Sequence, residues 1–199
     1  MKYIKEYNEY VDPFDEEDWD EVEPDDTFLE WLKRKYPDES KWKDVKKIYC
    51  SNLTNLTDLI GIGKLINLEE LYCNNNQLTE LDVSKNIKLI SLTCNRNQLT
   101  KLNVSNNINL GYLSCHNNQL TELDVSKNIK LGSLFCKFNR LIELDVTNNI
   151  NLINLFCYNN QLTKLGVTKN IKLIKLDCHN NRLTKLDVTN NINMINLYS

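Results

Sequence analysis

The sequence predicts an α/β solenoid with a single parallel β-sheet, and three observations indicate this fold class. The first is a 21-residue period of leucines at Leu71, Leu92, Leu113, Leu134, Leu155, Leu176 and Leu197. The second is a cysteine two residues after six of them, at Cys73, Cys94, Cys115, Cys136, Cys157 and Cys178. The third is the alternation of apolar and polar residues around each Leu-x-Cys, which is typical of a strand with one buried face. A fixed period of about 20–50 residues is the signature of a solenoid.

Residues 1–24 are acidic and contain several aromatic side chains. The stretch from Asp15 to Glu23 has Trp19 in the middle of a run of carboxylates. We expect a solvated, partly disordered segment here, because such composition favours disorder. Two alternatives stay open: Phe14, Trp19 and Val22 dock on the first coil, or the acidic run recruits a partner.

Residues 25–47 are predicted to form a helical cap at the N-terminal end of the array. Asp25 or Asp26 can cap the helix, with Thr27 assisting, and Pro37 ends it. The apolar residues recur at helical spacing at Phe28, Leu29, Trp31, Leu32 and Tyr36. Because the first coil of a solenoid has an open apolar face, a dissimilar element is needed to cover it.

Residues 48–199 are predicted to form the repeat array. Residues 48–70 make a degenerate first coil, and 21-residue repeats begin at position 71. In a typical coil, Leu102 and Val104 point inward from the side opposite the strand. Their spacing suits short strands or 3₁₀ turns on that side, because 21 residues leave little room for a helix. An asparagine three residues after each cysteine is expected to satisfy backbone groups of its own coil and of the next one.

The cysteines share one phase of the repeat, where an inward-facing apolar residue belongs. We interpret them as reduced packing residues; disulfides and metal binding are the less favoured alternatives, since the chain has no Cys-x-x-Cys pair. His116 and His179 share another phase but lie three coils apart, about 14 Å at strand spacing. They cannot share a metal ion, and we expect both to be solvated.

The repeated string LxxLxCxxNxLTxLDVSxN resembles a leucine-rich repeat of the short bacterial kind. The cysteine in place of the second strand leucine, as in Leu92-x-Cys94, is similar to the cysteine-ladder repeats of the internalins. The resemblance covers about residues 48–199. It implies a curved arc with the parallel sheet on its concave face, and a protein-binding or adhesive role.

The outward positions of the predicted sheet vary from coil to coil, and aromatic residues cluster on adjacent coils. We call this cluster the aromatic patch and define it as Tyr112, His116, Phe135, Lys137, Phe138, Phe156 and Tyr158. Contiguous exposed aromatic side chains usually mark a contact site, and a lysine at the rim suits a protein interface. The alternative is that ring stacking between coils merely stiffens the sheet. The patch is therefore our candidate for partner binding.

Near-identical repeats argue against catalysis, which needs unlike groups converging on one point. We find no nucleophile–base pair, no cluster with metal-ligand spacing and no phosphate loop. The sequence therefore predicts a protein without enzymatic activity, cofactor or metal, acting as a protein–protein interaction module. A glycan-binding or adhesin module of a secreted or surface protein is the alternative.

The charge is divided between the two parts of the chain. Residues 1–47 carry 16 acidic and 9 basic residues, whereas residues 48–199 carry 11 acidic and 15 basic residues. The array is not basic enough to favour nucleic acid as a partner. No apolar stretch approaches the roughly 20 residues of a membrane span.

The two ends of the sequence lead to two further expectations. The first residues do not form an apolar run of the kind that a signal peptide needs. We therefore expect a cytoplasmic protein, or a secreted or surface protein if a leader was removed. Ser199 follows directly on the last predicted strand, so two alternatives stay open: the chain is cut from a longer array, or the open C-terminal edge pairs with a second copy as a homodimer.

Overall fold

The computed structural model describes residues 27–53 and 56–199. Their main feature is one sheet of eight parallel strands, in which every strand pairs with the next one along the chain. The strands are β1 (Lys47–Tyr49), β2 (Glu70–Tyr72), β3 (Ser91–Thr93), β4 (Tyr112–Ser114), β5 (Ser133–Phe135), β6 (Asn154–Phe156), β7 (Lys175–Asp177) and β8 (Asn196–Tyr198). The predicted solenoid and its parallel sheet are confirmed.

The register of the sheet follows the 21-residue period. Leu92 of β3 pairs with Leu71 on one side and with Leu113 on the other. Because side chains alternate across a strand, this register places all the strand leucines on one face and all the residues that follow them on the other. It therefore decides which side chains are neighbours on the outer face of the sheet.

The inner face of the sheet and the opposite side of each coil enclose a continuous apolar core. In one coil Leu92, Cys94, Leu99 and Val104 are fully buried, and Leu102 is only slightly exposed. All seven cysteines are buried free thiols, which confirms their predicted role as packing residues. Burial of each leucine side chain stabilises the fold by about 1.5–3 kcal/mol. Because each coil contacts only the coils before and after it, most of this stabilisation comes from its two neighbours.

The asparagines that follow the cysteines form a buried ladder. Asn97 donates through Nδ2 to the carbonyls of Cys73 and Cys94, at 3.0 and 3.1 Å, and its Oδ1 accepts from the amide of Leu78 at 2.9 Å. Equivalent bonds are made by Asn118, Asn139, Asn160 and Asn181. Each asparagine thus bonds to its own coil, as the sequence predicts, and its second partner is the preceding coil rather than the next one.

The side of the coil opposite the sheet is built from tight turns. The amide of Asn86 donates to the carbonyl of Val83 at 3.0 Å, and that of Leu89 donates to Asn86 at 3.1 Å. In the array described from residue 71 onward, this side carries no strand, so turns rather than short strands connect the coils. A second asparagine ladder runs here: Asn107 Nδ2 donates to the carbonyls of Val83 and Asn86 of the preceding coil. This ladder is an additional feature beyond those predicted from the sequence.

The segment before β1 contains α1 (Phe28–Lys35) and a 3₁₀ helix (Glu39–Asp44). Thr27, rather than Asp25 or Asp26, is the N-cap of α1, and it forms a capping box with Glu30. Asp25, Asp26 and the acidic segment 1–24 lie outside the described residues.

The apolar side chains of this segment belong to the same core as the array. Phe28, Trp31, Leu32 and Trp42 are buried and cluster with Ile48 of β1. The role of residues 25–47 as a cap stays a prediction, and this packing is consistent with it. The helices of the described residues are also all too short to cross a membrane.

Candidate functional site

The aromatic patch lies on the outer face of β4–β6 and on the turns after these strands, because its residues occupy outward phases of neighbouring coils. The Tyr112, Phe135 and Phe156 rings form a first stack. Their centroids are 5.4 Å apart between Tyr112 and Phe135, and 5.1 Å between Phe135 and Phe156. These spacings fall within the 4.5–7 Å range of favourable aromatic pairs. The parallel register sets Phe135 directly beside Phe156. Tyr112 pairs with Ser133 and reaches Phe135 diagonally, since the residue directly opposite Phe135 is the small Ser114.

This first stack is more buried than the sequence suggests. Phe135 is 2% exposed and Phe156 is 8% exposed, while Tyr112 is half-buried. The expectation of a uniformly exposed cluster of aromatic rings therefore does not hold for Phe135 and Phe156. The stacking of these two rings stabilises the sheet in the absence of any partner.

A second stack runs beside the first and is more accessible. The Phe138 ring meets the Tyr158 ring edge-on at 5.2 Å, and Tyr158 stacks on the imidazole of His179 at 4.5 Å. Lys137 places Nζ 5.2 Å from the centre of the Tyr158 ring, a cation–π distance. Phe138 is 43% exposed, whereas Lys137, Tyr158 and His179 are partly buried.

His179 is a residue that the patch prediction left out. It was expected to be solvated, but it stacks on Tyr158, and its Nδ1 forms a hydrogen bond with the carboxylate of Asp177. Burial raises the pKa of Asp177, although the bond to His179 acts in the opposite direction. The signal was present in the sequence, because His179 has the repeat phase of Tyr158 one coil later.

His116 was also expected to be solvated and is instead buried at 4% exposure. Its Nδ1 lies 2.8 Å from Nδ2 of Asn117, whose amide can donate only to an unprotonated ring nitrogen. Burial lowers the pKa of His116 to about 3, and the nearby charges of Lys137 and Arg96 act in the same direction. His116 is therefore neutral at pH 7, and the positive charge beside the patch comes from Lys137 and Arg96.

Phe138 occupies a backbone position that normally suits asparagine. The residue two positions after each cysteine adopts a left-handed conformation, at Asn52, Asn75, Arg96, Asn117, Phe138, Asn159 and Asn180. Phe138 has φ +53°. This region costs a bulky side chain about 1–2 kcal/mol, and asparagine tolerates it best after glycine. Backbone strain at an exposed side chain is a sign of function rather than of packing.

The sheet face before the patch has a different chemistry. Thr93 and Ser114 occupy the phase of Phe135, and Asn74 and Asn95 occupy the phase of Lys137 and are buried. Ser114 Oγ donates to Asn95 Oδ1 at 3.3 Å. Tyr49 and Tyr72 form a separate stack on β1 and β2, with ring centroids 4.7 Å apart, and the small polar side chains lie between that stack and the aromatic patch.

The thiol column and the acidic residues do not assemble a reactive centre in the described parts of the chain. Burial raises the pKa of every cysteine from Cys50 to Cys178, so the thiols stay protonated and non-nucleophilic at neutral pH. Among residues 27–53 and 56–199, no three His, Cys, Asp or Glu side chains come together in a way that could hold a metal ion.

The chain was compared with protein-family models, with curated proteins and with solved structures. Neither a scan against protein-family models nor a search of curated proteins found a match. Among solved structures, the chain is similar to the functional domain of InlJ from Listeria monocytogenes, described as including a cysteine ladder. The two share 36% sequence identity with a TM-score of 0.65, over 80% of this chain and 40% of that one.

Two further solved structures show the same fold. An internalin, InlF, from Listeria monocytogenes matches with a TM-score of 0.75 and 22% identity, over 80% of this chain and 49% of that one. A leucine-rich-repeat protein from Leptospira interrogans matches with a TM-score of 0.56 and 21% identity, over 72% and 46%. The aligned part spans less than half of each of these proteins.

The repeat length, the parallel sheet and the column of buried thiols agree with the comparison to InlJ. The chain is a leucine-rich-repeat protein of the short, 21-residue bacterial type, with a cysteine ladder similar to that of the InlJ repeats.

Proposed function

We propose that the chain is a non-catalytic protein–protein interaction module that binds its partner through the aromatic patch on the concave face of the sheet. The observation that carries this proposal is the second stack. Phe138 is exposed and held in a strained backbone conformation, and its ring lies against that of Tyr158. The ammonium group of Lys137 lies over the Tyr158 ring.

The chemistry of the patch favours a protein as the partner. Phenylalanine, tyrosine and a cation in contact are enriched where protein interfaces concentrate their binding energy. The buried first stack gives this surface a rigid base, so little conformational entropy is lost on binding. The fold also favours this function, since solenoids use their extended sheet surface for binding.

The test replaces Phe138 and Tyr158 together by asparagine and uses wild type and variant as bait for affinity capture. Asparagine is the residue that other coils carry at these phases, as at Asn75 and Asn95, so the sheet is expected to stay folded. Loss of two central aromatic anchors costs about 1–2 kcal/mol each. Partner affinity is therefore expected to fall at least about tenfold.

A matched control replaces two equally exposed apolar residues at the opposite corner of the coils. Ile108 and Ile129 are 54% and 56% exposed, and their substitution by alanine is expected to leave partner binding unchanged. If every captured protein binds the double asparagine variant as well as it binds wild type, the patch is not the binding site. Retention on an immobilised glycan instead of on a protein would support the adhesin alternative.

The localisation stays a prediction. The proposed cytoplasmic placement agrees with seven reduced thiols, and detection of the endogenous protein in fractionated cells decides it.

We also propose that the edge of β8 pairs with a second copy. Leu183, Leu186 and Leu197 at this end are only partly buried, and Ile192 is 86% exposed. An edge strand above an incompletely covered core is a template for pairing. Light scattering is expected to show a mass that rises towards a dimer with concentration, and a constant monomer mass at high concentration would refute this pairing.

A further inference from the structure

We propose that the chain's own acidic segment, residues 6–26, docks on the aromatic patch and competes there with a foreign partner. The docking site is the same surface that we propose for partner binding, but docking of the segment needs no other molecule. It also names the chemistry that the patch accepts: an acidic peptide with aromatic side chains.

Charge complementarity is the first argument. Residues 6–26 contain twelve aspartates and glutamates and no lysine or arginine, whereas residues 27–199 contain 22 basic and 15 acidic residues. On the outward positions of β3–β7 and the turns after them, the cations are Arg96, Lys137 and Lys175. The carboxylate among them, Asp177, already has His179 as its hydrogen-bonding partner.

Aromatic content is the second argument. The acidic segment contains Tyr7, Tyr10, Phe14 and Trp19, and the second stack of the patch presents the exposed Phe138 ring against Tyr158. Further aromatic pairs contribute about 0.5–1.5 kcal/mol each beyond their burial. An acidic segment without aromatic residues would gain only the screened attraction of exposed charges, which is small.

The reach of the segment is the third argument. Thr27 caps α1, and α1 belongs to the core at the β1 end of the sheet, where it clusters with Ile48. Twenty-one extended residues span up to about 70 Å. The eight strands, about 4.8 Å apart, extend only about 34 Å. The segment is long enough to lie across the patch on β4–β6 without any change in the array.

A spin label on the segment tests this directly in the full-length chain. A cysteine introduced as Asp20→Cys carries the nitroxide, while the seven natural thiols are buried and do not react. A short tether gives an effective concentration in the millimolar range, so even weak docking produces about a twofold or greater loss of amide signal intensity. This loss is expected at the strand and turn amides around Phe135, Phe138 and Tyr158.

Two matched variants make the test specific. A label at Lys127→Cys, exposed at the corner away from the sheet, is expected to leave these amides unchanged. Neutralising the acidic run of the Asp20→Cys chain with D15N, E16Q, E17Q and D18N is expected to restore at least about half of the lost intensity. Added salt at about 0.5 M acts in the same direction, since it screens exposed charges.

Three results would overturn the proposal. They are signal loss confined to residues 28–50, no loss on β4–β7, or a loss that neither neutralisation nor salt reduces. The first would place the segment on the first coil instead. A failure here leaves the capture experiment with Phe138 and Tyr158 unaffected, because that experiment detects foreign partners and not the segment.

Discussion

Between pH 7 and pH 9 the free energy of unfolding is expected to fall by about 6 kcal/mol, because of the seven buried thiols. Unfolded cysteine has a pKa of about 8.5. In the folded chain, burial raises the pKa of Cys178 to about 11 and that of Cys115 to about 12, and it shifts the other five in the same direction.

The sign of the effect follows from proton binding. Above about pH 8.5 the unfolded chain loses its thiol protons while the folded chain keeps them, so the folded state binds more protons and stability falls as pH rises. Each thiol contributes about 0.8 kcal/mol to the loss at pH 9. Since domains are typically stable by only about 5–15 kcal/mol, a large part of the stability is expected to disappear.

Urea denaturation at pH 7, 8 and 9 in the presence of a reductant measures this loss. A Cys94→Ala, Cys136→Ala variant is the control. It is expected to be less stable at pH 7, but its loss between pH 7 and pH 9 is smaller by about 2 kcal/mol, because two thiols are gone. Stability that stays flat to pH 9, with native thiols that react freely with an alkylating reagent, would contradict the buried column.

The sequence predicts the sheet and its register because every coil of a solenoid is built from the same 21-residue unit. Leu92 and Leu113 occupy the same phase, so the period alone sets them side by side in neighbouring strands. The same reasoning places Phe135 beside Phe156. In a fold without repeats, contacts form between segments that are distant in the sequence. Such contacts cannot be predicted from a repeat period.

The exposure of the patch side chains depends on their neighbours in space, which the position in the repeat does not give. Phase alone places Phe135 and Phe138 on the same outward surface, yet one is 2% and the other 43% exposed. The difference arises because Phe135 lies between the Tyr112 and Phe156 rings, whereas Phe138 lies in the left-handed turn after the strand. Phase does predict the contact between Tyr158 and His179, which the sequence analysis missed by treating each histidine alone.

Only one of the two asparagine ladders was predicted, although both are visible in the sequence. Asn97 and its equivalents follow the cysteines and were assigned to backbone bonding. Asn107 and its equivalents recur at the opposite corner with the same period and bond to two carbonyls of the preceding coil. An invariant asparagine at a 21-residue spacing is a sufficient signal for a ladder, because a freely solvated position would vary as the outward strand positions do.

Replacing Asn118 by alanine is expected to cost about 3 kcal/mol or more of the free energy of unfolding. The three shortest bonds of its side chain are buried, and they run from Leu99 N to Oδ1 at 2.9 Å and from Nδ2 to the carbonyls of Cys94 and Cys115 at 3.0 and 3.1 Å. Alanine leaves one amide and two carbonyls without this partner inside the turn. A buried unsatisfied group costs about 1–3 kcal/mol, and partial access of water keeps the total below the sum.

Two controls separate the bonds from the loss of side-chain volume. Asn118→Asp keeps the shape and the acceptor for Leu99 N, but it loses both donors and places a carboxylate against two carbonyls, so it is expected to be at least as damaging as alanine. Asn106→Ala removes a single exposed bond to Ser84 O at 3.1 Å and is expected to cost less than about 1 kcal/mol.

Position along the array provides the last comparison. Asn181 makes the same three bonds as Asn118, but it is only partly buried and lies next to the final coil. In a solenoid each coil is stabilised only by its neighbours, so a defect near the end releases a small unit, while a central defect separates the array into two parts. Asn181→Ala is therefore expected to lower stability less than Asn118→Ala. Equal losses at positions 106, 118 and 181 in urea denaturation would show that the ladder does not couple the coils.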